Sequence, residues 1–104
     1  MPRASQFSKK KVEEICGKRV LVGLTYIDYR GKLLERKQVH GVVVRASQAK
    51  GITVRLNDGS EFTLPPDLRA LKSAPPGEYR LRSTGEVVVD PDYICSFTVT
   101  RPDA

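Results

Sequence analysis

The spacing of hydrophobic and polar positions changes once along this chain, from a helical period to a strand period. Between Ser8 and Cys16 the apolar positions Val12, Ile15 and Cys16 fall at i, i+3 and i+4, which makes one narrow helical stripe. Ser8 is a suitable N-cap, Phe7 and Val12 have the spacing of a hydrophobic staple, and Gly17 supplies a stop. A helix over 8–16 is too short to persist alone, so its stripe must dock on the rest of the protein.

From Lys18 onward the pattern alternates. Val20, Val22, Leu24 and Tyr26 interleave with Leu21, Gly23, Thr25 and Ile27, so both faces of this strand carry apolar groups. A turn at Tyr29-Arg30-Gly31-Lys32 leads into a second strand from Leu33 to Val42-Val43-Val44. After the break at Gln48-Ala49-Lys50-Gly51, Ile52, Val54 and Leu56 face one side while Thr53 and Arg55 face the other. Asn57-Asp58-Gly59-Ser60 closes a hairpin onto Glu61–Leu64, because Asp-Gly tolerates the positive φ of a tight turn. Pro65-Pro66 stops that strand, and Asp67 to Leu71 reads as a single helical turn. Beyond Ala74-Pro75-Pro76-Gly77 come short apolar alternations at Tyr79 and Leu81, at Val87-Val88-Val89, and at Tyr93, Cys95, Phe97 and Val99.

Short strands separated by turns at such intervals predict a sandwich or a barrel. Strands with two apolar faces favour the barrel, with Gly23 and Gly41 as its bulges or corners. The expected fold is therefore mainly β: one domain over 1–104, with a basic arm (1–7), a short helix (8–16) and a small antiparallel β-barrel (18–100).

Composition adds limits rather than a function. With 39% hydrophobic and 29% charged residues, the 104-residue chain is neither disordered nor fibrous. It contains no apolar run near the roughly 20 residues a membrane helix needs. No apolar signal region follows the basic N-terminus, so the expected compartment is the cytoplasm. The net charge of +6 is unevenly placed. Residues 1–19 hold six Lys/Arg against Glu13 and Glu14, whereas the remainder holds twelve against ten acidic residues. The excess is in the arm and helix.

Catalytic chemistry finds little support. His40 is the single histidine, which excludes a three-histidine zinc site and leaves a nucleophile without an evident base. Cys16 and Cys95 fit no metal spacing and read as small buried hydrophobes. Glu86, Asp90 and Asp92 lack the dense alternating oxygens of a calcium loop and read as turn chemistry. No phosphate-cradling glycine motif is present, so neither a cofactor nor a metal is expected.

The order helix, long strand, bent strand and tight hairpin over Gly17–Leu64 resembles an SH3-like barrel of the Sm type. Sm-type RNA binders hold a base with an Asp and an Asn around the turn between their second and third strands. Here that turn reads Ala46-Ser47-Gln48-Ala49-Lys50-Gly51-Ile52, so the resemblance implies no RNA-binding residues. The stretch from Leu64-Pro65-Pro66-Asp67-Leu68 to Asp90-Pro91-Asp92-Tyr93 is similar to small uncharacterised bacterial proteins, and that likeness brings no function with it.

Two functions follow as expectations. The first is a non-catalytic module, monomeric or weakly dimeric, that binds another protein at Pro65, Pro66, Leu68, Leu71 and Tyr79, where proline-stiffened loops lower the entropy cost of binding. The alternative is binding of single-stranded RNA or DNA by Lys9, Lys10, Lys11, Lys18 and Arg19, with Tyr26 and Tyr29 as stacking surfaces.

Overall fold

The computed structural model describes residues 7–82 and 84–101. Residues 1–6 of the basic arm, Arg3 among them, lie outside that range. Helix α1 spans Lys9–Ile15, where the Ser8 hydroxyl accepts from the Lys11 amide at 3.2 Å. The chain leaves the helix through Gly17 at φ +85°, a conformation only glycine adopts cheaply. Two backbone bonds then fasten this exit to the sheet: Gly17 N–H donates to Val43 O, and Val43 N–H donates to Lys18 O. Ile15 is buried at 1% exposure, and Phe7 and Cys16 pack on the same core. Of the stripe read from the sequence, Ile15 and Cys16 dock the helix, together with Phe7.

Among the described residues eight strands follow: β1 (Arg19–Asp28), β2 (Leu33–Ser47), β3 (Gly51–Leu56), β4 (Glu61–Leu64), β5 (Lys72–Ser73), β6 (Glu78–Arg80), β7 (Val87–Val89) and β8 (Tyr93–Arg101). A 3-10 turn at Leu68–Ala70, capped by the Asp67 carboxylate, realises the helical turn expected there. Six strands form one sheet in the order β4-β3-β2-β1-β8-β5, and β6 pairs only with β7.

The antiparallel barrel is not what forms. β8 lies beside β1 and runs parallel to it, from Val20↔Tyr93 to Asp28↔Arg101. Among the described residues no ladder joins the edge strands β4 and β5, so the sheet stays open. The two apolar faces of β1 have a different cause from barrel curvature. Val20, Val22 and Leu24 enter the main core with Val43, Ile52, Val54, Leu64, Leu68 and Cys95. Leu21 points to the other face, where it packs with Leu81 and Val88 and is flanked by Tyr79 and Ile94. The β6–β7 hairpin is thus a flap laid over part of the reverse face of the sheet.

Three local expectations are also corrected. Thr53, on the polar side of β3, is buried at 5% exposure between the neighbouring strands β2 and β4, whereas Arg55 on the same side is exposed. The register shifts fall at Leu34, which has no partner between Tyr26↔Glu35 and Ile27↔Leu33, and at Val44, which is skipped between Val43↔Val54 and Arg45↔Thr53. Neither is at Gly23 or Gly41. Gly41 instead serves close approach: a Cβ there would fall on the carbonyl of Arg55 in the neighbouring strand.

Candidate functional site

Cross-strand partners share a face, so the ladders define what lies beside the flap. Leu21 is flanked by His40 and Ile94, Gly23 by Gln38 and Ser96, and Thr25 by Arg36 and Thr98. The flap covers the first of these rows and leaves the next two bare. There the sheet forms a trough of about 470 Å³, bordered by Gly23, Leu24, Thr25, Arg36, Lys37, Gln38, Arg82 and Ser96. Lys37 pairs with the core residue Leu24 and so belongs to the other face, which leaves Arg36 and Arg82 as the cations on the trough side.

Each wall has an identifiable support. Arg82 leaves the flap just after β6, and its backbone N–H donates to the Gln38 side-chain oxygen at 2.8 Å, which pins the flap to β2. Arg36 and Arg82 form no ion pair with another described residue, whereas Arg45 and Arg55 share Glu61 and Arg101 pairs with Glu35. No carboxylate lines the trough. Its floor is made of the Thr25 and Ser96 hydroxyls, the Gln38 amide and bare backbone at Gly23. A Cβ at Gly23 would meet Ser96 Oγ at 3.5 Å, an ordinary contact, so packing alone does not require a glycine there. Such a surface offers positive charge and neutral hydrogen-bonding groups to an anion.

Behind the flap lies a second polar cluster. His40, with its side chain 19% exposed, has Nε2 at 2.9 Å from Glu86 Oε2, and Asn57 Nδ2 donates to the same oxygen at 3.1 Å. Asn57 Nδ2 is also 3.2 Å from His40 Nε2. Both groups reach Glu86 at once when Nε2 carries the imidazole proton, so the contact between His40 and Asn57 is one of proximity. The adjoining cavity, about 220 Å³, is lined by Gln38, Val39, Leu56, Asp58 and Leu81, with no serine, cysteine or lysine. This arrangement ties the flap to β2 and to the β3–β4 turn. It places no nucleophile beside the imidazole.

The other turn carboxylates are likewise engaged. Asp90, at φ +48°, accepts from the Gly77 amide at 2.7 Å, and Asp92 accepts from the Arg19 amide at 2.9 Å. Among the described residues no group of three or more His, Cys, Asp or Glu side chains is placed to hold a metal ion.

The residues singled out from the sequence are scattered by the fold. Pro65 and Pro66 are exposed, but Leu68 is buried at 6% and Leu71 packs on the main core. Tyr79 belongs to the cluster under the flap and donates from its hydroxyl to Pro75 O at 2.6 Å. The two proline loops therefore do not combine into one apolar surface. Lys9, Lys10 and Lys11 sit on α1, whose Ile15 enters the core on the face opposite the trough. Lys18 is exposed, while the Arg19 guanidinium donates to Asp90 O at 2.5 Å. Tyr26 lies beneath Arg101, with the guanidinium carbon 4.0 Å from the ring centroid. Tyr29, 64% exposed, stands at the β1–β2 turn beside Arg30.

Cys16 and Cys95 are free thiols associated with the same core, and burial pushes the Cys95 thiol up to about 11. Comparison of the chain with family models, with curated proteins and with solved structures finds no match in any of the three. No described helix is long and apolar enough to cross a membrane.

Sequence reasoning missed the trough because its two cations, Arg36 and Arg82, come from two distant segments in which charges of both signs alternate. The usable signal was the run of small polar residues Ser96, Thr98 and Thr100 on one face of β8, opposite the apolar set.

Proposed function

We propose that this protein is a non-catalytic binding module that receives an acidic segment of a partner protein in the trough beside the flap. The observation that supports this reading is the placement of Arg36 and Arg82, without an ion pair to any described residue, beside a floor of hydroxyl and amide groups. Guanidinium groups bind carboxylates through paired N–H donors, and a β-sheet floor holds those donors in place. A protein segment is favoured over nucleic acid because no aromatic ring lines the trough. Single-strand binders join their positive groove to stacking faces. Tyr26 is committed to Arg101, and the helical lysines lie on the other side of the sheet.

Calorimetric titration with an oligoglutamate peptide and, separately, with a single-stranded oligonucleotide tests the reading. The peptide is expected to bind and to weaken as salt is added. The double variant Arg36→Gln/Arg82→Gln is expected to lose about tenfold in affinity. Peptide binding unchanged in that variant would refute the assignment to the trough, and tight binding of the oligonucleotide alone would transfer it to the alternative function.

A further inference from the structure

The open sheet leaves backbone unpaired along two stretches. On β2, the residues from Leu33 to His40 have β1 on one side and no strand on the other, since β3 pairs only from Gly41 onward. On β8, β5 covers only Tyr93 and Ile94, so among the described residues Cys95–Arg101 have β1 on one side and no strand on the other. Natural edges are usually blunted by charge, proline or a covering element. The β2 stretch has that protection in Glu35, Arg36 and Lys37. The β8 stretch has only Arg101, at its end: Cys95-Ser96-Phe97-Thr98-Val99-Thr100 carries no charge and no proline, and is rich in β-branched residues.

We propose that two copies of this chain associate through these β8 edges, antiparallel and centred on Thr98, to make one continuous sheet of twelve strands from two of six. Length and register both fit a second copy. Nine residues of β8 less the two covered by β5 leave seven free. Centring on Thr98 sets Cys95 opposite Arg101 of the second copy and uses the whole free edge without meeting either β5. The facing pairs are then compatible. Phe97 meets Val99 of the second copy on the core-side face, and Thr98 meets its own counterpart on the trough side, aromatic with β-branched and threonine with threonine. No like charges face each other, because Arg101 falls opposite a cysteine. Each copy gains partners for backbone groups that otherwise rely on water. The twofold axis stands perpendicular to the sheet, so both basic troughs open on the same side.

Sedimentation velocity of the full chain across a concentration series tests this directly. Wild type is expected to show a reversible monomer–dimer equilibrium. Thr98 is exposed, so Thr98→Lys and Thr98→Glu should leave the fold intact, and each sets like charges opposite one another at the axis. Each variant alone is expected to raise the dissociation constant about fivefold or more, and an equimolar mixture of the two is expected to restore dimer. In wild type, amide exchange from Cys95 to Arg101 should slow as concentration rises. A wild type that stays monomeric, single variants that dimerise like wild type, a mixture no better than its components, or concentration-independent exchange at β8 would each overturn the proposal. None of these readouts depends on peptide binding in the trough, so failure here and failure of the proposed function are separable.

Discussion

Replacing Ile15 by alanine asks whether α1 is part of the folded unit or a tail resting on it. Ile15 is 1% exposed and the one fully buried side chain of the helix. Ile→Ala removes three carbon atoms, and their transfer alone is worth about 2.4 kcal/mol at about 0.8 kcal/mol each. A residual cavity adds roughly 24 cal/mol per Å³ to the extent that neighbours do not collapse into it. The expected loss is therefore about 2–4 kcal/mol. A domain of this size is typically stable by about 5–15 kcal/mol, so the variant remains folded and measurable. Urea unfolding followed by far-ultraviolet circular dichroism should show a lower midpoint with an unchanged slope. Lys9→Gln/Lys10→Gln/Lys11→Gln provides the control: these positions are half-buried or exposed, and each change should stay within about 0.5 kcal/mol. If Ile15→Ala is neutral and the amides of residues 9–15 exchange as fast as those of a free peptide, the docking argument fails.

Other outcomes follow from single positions. Gly41→Ala should cost at least about 2 kcal/mol in the same assay, because the added methyl lands on the Arg55 carbonyl and the β2–β3 ladder must part to admit it. Gly23→Ala, which meets only an ordinary contact, should leave stability nearly unchanged while weakening oligoglutamate binding in the trough. With its thiol raised to about 11, Cys95 should have about one thiolate in a thousand at pH 8 and resist alkylation in the native state, as peptide mapping would show. The same shift gives a stability contribution present below about pH 9 and lost as pH rises through about 11; Cys95→Ala should flatten that part of the stability profile. Glu61 shows the opposite sign. Its hydrogen bonds from Arg45, then Arg55, hold its carboxyl below the ordinary range, so their contribution is present above that range and lost on acidification. Glu61→Gln should reduce the acid sensitivity of the unfolding midpoint.

Much of the secondary structure was written locally. Ser8 and Gly17 bound the helix because an N-cap and a left-handed exit are properties of single residues and their immediate neighbours. Asp58-Gly59 and the proline pairs placed turns for the same reason, and apolar alternation located the strands on either side of them. The two-residue β5 was beyond reach, since Lys72-Ser73 has no pattern of its own and is a strand only by pairing with Tyr93 and Ile94.

Arrangement was decided by the tertiary structure. Leu21 and Ile27 showed that β1 is apolar on both faces, but a closed barrel and an open sheet with a flap bury such a strand equally well. The choice depends on which strand lies beside β1. That strand is β8, about seventy positions away in sequence; it pairs parallel to β1, and among the described residues the edge strands β4 and β5 stay unjoined. The trough depends on the same choice. Arg36 reaches it through the β1–β2 register, Ser96 through the β1–β8 register, and Arg82 through the flap that Leu21 anchors. Pairing energies between strands so far apart are absent from any local window of the sequence. Local chemistry therefore set where this chain forms helix, strand and turn, and the long-range ladders decided which side chains meet.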